Sequence, residues 1–208
     1  MLNLGVERYI TPVTFALKKA HPGIDIAYST EKPRSIFEKL LDGSLDVGFF
    51  PGSTYDDKGS LSYLFLGREE VRVAVSSSSE AAKRDALTPE DLADNPLICL
   101  KEHETTDLMN ALVFSAGFHP RQVVETEELE IAAALIVELN GYFAIPEFMF
   151  ARFDAFPNIT IVPMENPVYQ NISFAYKTAN ENPTLGLFLE QARRLFSRDD
   201  KPQPSTRA

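Results

Sequence analysis

Tryptophan is absent from the 208 residues, and cysteine occurs once, at Cys99. A single thiol excludes an internal disulfide and fits a reducing compartment. Cys99 lies in the apolar run Leu97–Leu100, where a small buried hydrophobe is expected rather than a nucleophile. Long apolar stretches are also missing. Runs such as Ile131–Val137 fall far short of the roughly 20 residues that cross a bilayer. The opening MLNLGVERYI shows no basic leader followed by an apolar segment, so the expectation is a cytoplasmic protein without a secretory signal and without a membrane role. Positive charge is in deficit, with 20 basic against 30 acidic residues and a net charge of −10. That balance repels a phosphate backbone, so the chain by itself is not expected to bind DNA or RNA.

The usual signatures of catalysis are missing as well. His21, His103 and His119 have no metal-like spacing, and His21 and His119 each precede a proline, which marks loops. There is no H-E-x-x-H, C-x-x-C, G-x-S-x-G, Walker A or G-x-G-x-x-G pattern. Glu69 and Glu70 are neighbours on a β-rich run, so they point to opposite faces and cannot share a proton. The reading is of a non-enzyme with no catalytic residue, no metal and no cofactor.

What is present is ample core material: 44% hydrophobic residues, with fifteen Phe and seven Tyr. Asn3–Val6 reads as a short buried strand, followed by a helix over Pro12–Ala20 with Thr11 as its cap and Pro12 in its first turn. Ile24, Ile26 and Tyr28 suggest a second strand. Ser35–Leu41 forms a helix stopped by Gly43, and Leu45–Phe50 a third strand closed by Pro51-Gly52. That alternation predicts a parallel sheet covered by helices. Further strands are expected at Val71–Val75, Leu97–Leu100, Val123–Thr126, Tyr142–Ile145, Ile159–Val162 and Ile172–Tyr176. Helices are expected within Leu87–Asp94 (Thr88 capping and Pro89 starting it) and at Asp107–Ala116, Leu129–Leu139 (stopped by Asn140-Gly141), Pro146–Phe153 and Leu185–Phe196. Two α/β blocks with no linker between them imply a hinged pair facing a cleft.

Several segments resemble the effector-binding domain of LysR-type transcriptional regulators. Ala20-His-Pro-Gly-Ile-Asp-Ile26 is similar to that family's H-P-G segment between helix and strand. Leu40-Leu-Asp-Gly-Ser-Leu-Asp-Val-Gly48 resembles its L-L-x-G-x-L-D-x-A/G stretch, Leu66–Val75 its L-x-x-E-x-L-x-L-V-V strand, and Leu92-Ala-Asp-Asn-Pro-Leu-Ile98 its L-A-D-x-P-L-I signature. Asn140-Gly141 followed by Ala144-Ile-Pro146 is similar to its G-x-G-I-A-x-L-P region, with Gly141-Tyr142-Phe143 replacing the usual Gly-x-Gly-Ile. Each piece is weak, but five in order across residues 2–196 are specific. The resemblance implies an α/β type-2 periplasmic-binding-protein-like fold, two Rossmann-like lobes joined by two crossover strands. Residues 1–74 plus 173–197 would form one lobe and 75–172 the other, with 198–208 a disordered tail. It implies a small-molecule effector, a side-by-side antiparallel homodimer through the Pro12–Ala20 helix, and a higher oligomer at full length. DNA would be engaged only through an N-terminal winged helix-turn-helix that this chain lacks. The rival readings are a free-standing solute receptor and a prephenate dehydratase-like enzyme, whose Thr-Arg-Phe signature is absent near Thr105-Thr106-Asp107.

Ligands of open α/β sheets bind beyond the carboxyl ends of strands, and the family's effector pocket is lined by the corresponding loops. The candidate effector-binding residues are therefore Glu7, Arg8, Tyr9 and Thr11; Phe50, Pro51 and Gly52; Thr105 and Thr106; Glu127; and Tyr142 and Phe143. Thr11, Thr105 and Thr106 fall at expected helix starts, which favour a carboxylate, and Arg8 offers a bidentate clamp. Acidic residues crowd the same loops, so the ligand is a carboxylate or an amino-acid-like molecule, or else Glu7-Arg8 is a structural pair. Tyr9, Phe50 and Tyr142 fit either pocket walls or plain core.

Overall fold

A computed structural model describes residues 5–31, 33–51, 59–101 and 120–196. Two compact units divide the chain: Met1–Arg68 with Asn171–Ala208, and Glu69–Gln170. The chain passes between them twice, inside β2 (Leu61–Ser76) and inside β7 (Val168–Lys177).

The first unit begins with a turn of π-helix over Val6–Ile10 that runs directly into α1 (Thr11–Ala20). Of the strand expected at Asn3–Val6, Asn3 and Leu4 lie outside the described residues, while Gly5 and Val6 are helical, as is Glu7–Thr11, where a loop was expected. Thr11 lies inside the helix, with no side-chain cap formed at its start. The physical reason is Pro12. A proline inside a helix clashes with the carbonyl four residues back. Here the widened turn, closed by the Thr11 N–H donating to the Val6 carbonyl, lets the helix continue across it. Tyr9 is buried, its ring 5.5 Å from Phe49 and 5.4 Å from Phe196.

α2 (Pro33–Asp42) ends at Gly43, whose φ of +82° suits glycine. The strand expected at Ile24–Tyr28 does not form; Tyr28 is exposed there. β1 (Gly48–Pro51) pairs antiparallel with β7, Phe50 opposite Ser173 and Pro51 opposite Ile172. The parallel arrangement read from strand–helix alternation is thus corrected: the partner of β1 comes from the far end of the chain. Leu40, Phe50, Leu61 and Ala175 close this core, and α6 (Pro183–Phe196) packs on α1.

In the second unit, β2 pairs antiparallel with β5 (Tyr142–Pro146) and with β6 (Ile159–Val162). β3 (Leu97–Leu100) runs parallel to β4 (Val123–Thr126) and to β5. β3 and β5 are buried at every position, which is why both read as unbroken apolar runs. Alternation sends Val71, Val73, Val75, Tyr142 and Ala144 to one core. It sends Ala74, Ile98, Phe143 and Ile145 to a second, covered by α4 (Leu129–Glu138) and by Phe153 of α5 (Phe150–Phe153). Burying a side chain such as Phe143 contributes about 2–3 kcal/mol.

Two local devices match the sequence. In α3 (Pro89–Leu92) the Thr88 N–H donates to Asp91 Oδ2 at 2.9 Å, as in a capping box. α4 ends with Asn140 at φ +50° and the Gly141 N–H donating to the Ile136 carbonyl, a Schellman closure.

Candidate effector site

Parallel pairing aligns the ends of three strands. Leu100 lies opposite Thr126, and Leu97 lies opposite both Val123 and Tyr142. The carboxyl edge of the second unit therefore carries Lys101, Thr126–Glu128 and Pro146-Glu147. The Val71–Pro146 pair brings β2 to the same edge, placing Glu69 and Glu70 just beyond it. The Lys101 N–H donates to the Thr126 carbonyl at 2.7 Å, fixing the two strand ends together. α4 starts immediately after them, with Glu128 as its N-cap and Glu130 in its first turn. Carboxylates at a helix start complement the dipole.

Two ion pairs hold charges near this edge. Arg72 holds Glu70 through two hydrogen bonds, Nε to Oε1 at 3.1 Å and Nη2 to Oε2 at 3.0 Å. Glu70, and more weakly Glu147, hold the guanidinium pKa above its already high value, so it stays charged. Its Cζ lies 5.1 Å from the Phe150 ring centroid. Arg152 reaches Glu130 at 3.7 Å. Glu69 is 1% exposed while Glu70 is only partly buried, so the two carboxylates do face opposite sides of β2.

Among the expected effector residues, Glu127 lies at this edge and is exposed. Tyr142 and Phe143 do not: they sit at the amino end of β5, Tyr142 beside Leu97, and belong to the two cores. Burial pushes the Tyr142 phenol well above its ordinary pKa. The carboxyl end of β5 is instead Ile145-Pro146, with Pro146 opposite Val71. In the first unit, Glu7 and Arg8 are exposed on the π-turn, with the Arg8 guanidinium 5.9 Å from the Tyr9 ring centroid. Tyr9 and Phe50 are core residues, and Pro51 ends β1. Gly52, Thr105 and Thr106, and the helix expected at Asp107–Ala116, lie outside the described residues, as does the tail 198–208.

Cys99 is buried, and burial together with Glu125 opposite it raises its thiol pKa, consistent with a structural role. Among the described residues no cluster of His, Cys, Asp and Glu could hold a metal ion. No described helix is long and apolar enough to cross a membrane.

Sequence reasoning missed Gln170. It is 5% exposed on β7, and it escaped notice as an isolated polar residue in a strand. Its parity with Val168, Ile172 and Phe174 was the signal that could have found it.

A family model described as the LysR substrate binding domain matches residues 3–197. No curated protein sequence matches the chain significantly. Solved structures do. The BenM effector binding domain with its effector benzoate is 21% identical, covers 97% of this chain and 90% of that one, and superimposes with a TM-score of 0.75. The effector binding domain of QuiR in complex with shikimate is 19% identical over 90% of each chain, with a TM-score of 0.75. Full-length CbnR complexed with its target DNA is 20% identical, covers 93% of this chain and 68% of that one, and gives a TM-score of 0.75.

Proposed function

Because the chain belongs to the LysR substrate-binding-domain family, which is type-2 periplasmic-binding-protein-like and non-enzymatic, we propose that it senses a small organic acid and reports it to DNA-binding machinery carried outside these residues. The observation that carries this reading is the match over residues 3–197, almost the whole chain. Relatives solved with benzoate and with shikimate point to a carboxylate-bearing effector. The net charge of −10 supports DNA contact through a separate domain, as in the full-length relative bound to its target.

In this reading the two units are the sensing lobes, and the effector docks against the carboxyl edge of β3, β4 and β5. Lys101, Thr126, Glu127 and the first turn of α4 would meet it, together with Thr105 and Thr106. Occupancy shifts the population of conformations connected through β2 and β7, by no more than the effector's differential affinity for them. The site of action is the cytoplasm, in keeping with the lone, reduced Cys99.

Two exposed apolar surfaces favour a homodimer: Phe15 of α1 is 71% exposed, and Ile131, Val137 and Leu139 at α4 are also uncovered. In the proposed antiparallel dimer, α1 of each copy covers α4 of the other.

The test is a thermal-shift screen of small carboxylates, including benzoate and shikimate, coupled to sedimentation. A saturable rise in Tm and a dimer that Phe15→Glu dissociates are expected. No stabilisation by any acid would refute the sensing role, and a monomeric wild-type protein would refute the dimer.

A further inference from the structure

We propose that Asn140 is a deamidation site whose reaction is gated by the C-terminal closure of α4. It stands in the only Asn-Gly pair of the 208 residues. The modification needs water alone as co-reactant and does not depend on effector binding.

The backbone nitrogen of Gly141 is the nucleophile, and Cγ of Asn140 is the carbon attacked. A bond forms between them, the Cγ–Nδ2 bond breaks, and Nδ2 leaves as ammonia with the proton given up by the Gly141 N–H. Water then opens the cyclic imide. Entry at Cγ yields aspartate. Entry at the Asn140 main-chain carbonyl carbon yields isoaspartate, whose backbone is one carbon longer. Nothing is oxidised or reduced. Glycine suits the reaction because no Cβ obstructs the approach of its nitrogen.

The fold leaves the electrophile open and locks the nucleophile. Asn140 is exposed, so water reaches it, whereas Gly141 is buried. The Gly141 N–H donates to the Ile136 carbonyl at 3.0 Å. The Asn140 carbonyl accepts from Asn95 Nδ2 at 2.6 Å, and the Tyr142 N–H donates to the Pro96 carbonyl at 3.0 Å. The peptide that must swing toward Cγ is therefore pinned from α4 and from the segment before β3. Little slack remains, since even a methyl group on Gly141 would come within 2.9 Å of the Pro96 carbonyl oxygen. Asn140 itself is held at φ +50°, the left-handed backbone that this closure uses. Attack must wait for the closure to open, a local event of the kind that exposes parts of a fold without unfolding it.

Conversion would weaken the same closure. Either product adds negative charge at the carboxyl end of α4, which ends in Glu138 and has no basic residue in its last turn, against the helix dipole. Isoaspartate also lengthens the link between α4 and β5.

The test is to incubate the full chain in mildly alkaline buffer, folded and in guanidinium chloride, and to follow the peptide carrying Asn140 by mass spectrometry. The unfolded chain is expected to convert at least about tenfold faster, as for a closed state that outweighs the open one by that ratio. Asn95→Ala removes one pin and is expected to speed conversion in the folded chain about three- to tenfold, the effect of one lost hydrogen bond. Its rate in guanidinium chloride should match the wild type. Equal rates in the folded and unfolded chain, or a folded rate unmoved by Asn95→Ala, would overturn the gate. Absence of conversion in guanidinium chloride would overturn the site itself. Hydrogen exchange at Phe143 and Ile145 of β5 is expected to be the same in both proteins; faster exchange in the variant would trace its effect to global unfolding and overturn the local gate.

Discussion

The guanidinium of Arg72 and the ring of Phe150 lie 5.1 Å apart, joining the middle of β2 to the first residue of α5. Glu70 grips the same guanidinium through two hydrogen bonds, so the cation is held in one orientation over the ring. The planar fork and its stacking are properties of arginine that lysine lacks. Arg72→Lys is expected to cost about 0.5–1 kcal/mol in urea denaturation, although the charge is kept. Coincident unfolding curves would show that the contact contributes nothing.

Gly141 is tied to the segment Leu92–Ile98 by shape. A methyl group built there comes within 2.9 Å of both the Pro96 carbonyl oxygen and Ile98 Cγ1, and the Asn95 side-chain amide donates to the Asn140 carbonyl beside it. Because one of those neighbours is backbone, relief requires moving β3. Gly141→Ala is expected to destabilise the fold by about 1–3 kcal/mol, measured as a lowered Tm. Gly186, where an added methyl meets nothing, is the control.

Asp91 makes the start of α3 sensitive to acid. The Thr88 backbone N–H, the largest influence, holds the carboxyl pKa below its ordinary value of 3.8. A carboxyl group depressed in the folded state adds stability above its unfolded pKa and loses it as pH falls through the folded one. Asp91→Asn is expected to cost about 1 kcal/mol at pH 7, and the difference from wild type should shrink steadily below about pH 4. A difference independent of pH would place the effect elsewhere.

The second unit was legible because its signals are local. β3 and β5 are apolar throughout since both faces are covered, Thr88-Pro89 starts a helix, and Asn140-Gly141 ends one. The first unit was less so. Thr11-Pro12 carries the signature of a helix start, but the π-turn before it moved the true start upstream. The direction of β1 depends on pairing with β7, from the opposite end of the chain, which no local pattern encodes. β2 extends over Leu61–Ser76, yet only Val71–Val75 stood out, because Gly67–Glu70 interrupts the apolar pattern. The same limit governs the site. Glu127 follows β4 at the carboxyl edge, whereas Tyr142 and Phe143 open β5 at its amino end, and that β3 and β5 run parallel, which sets the two ends apart, is not encoded by any local pattern.

The most direct test of effector docking is a ¹⁵N-resolved NMR titration of the chain with the tightest acid from the carboxylate screen. The largest amide shifts are predicted at Lys101, Thr126–Glu128 and Glu147, the carboxyl ends of β3, β4 and β5. Shifts concentrated instead at Leu97, Val123 and Tyr142, the amino ends of the same strands, would contradict the account.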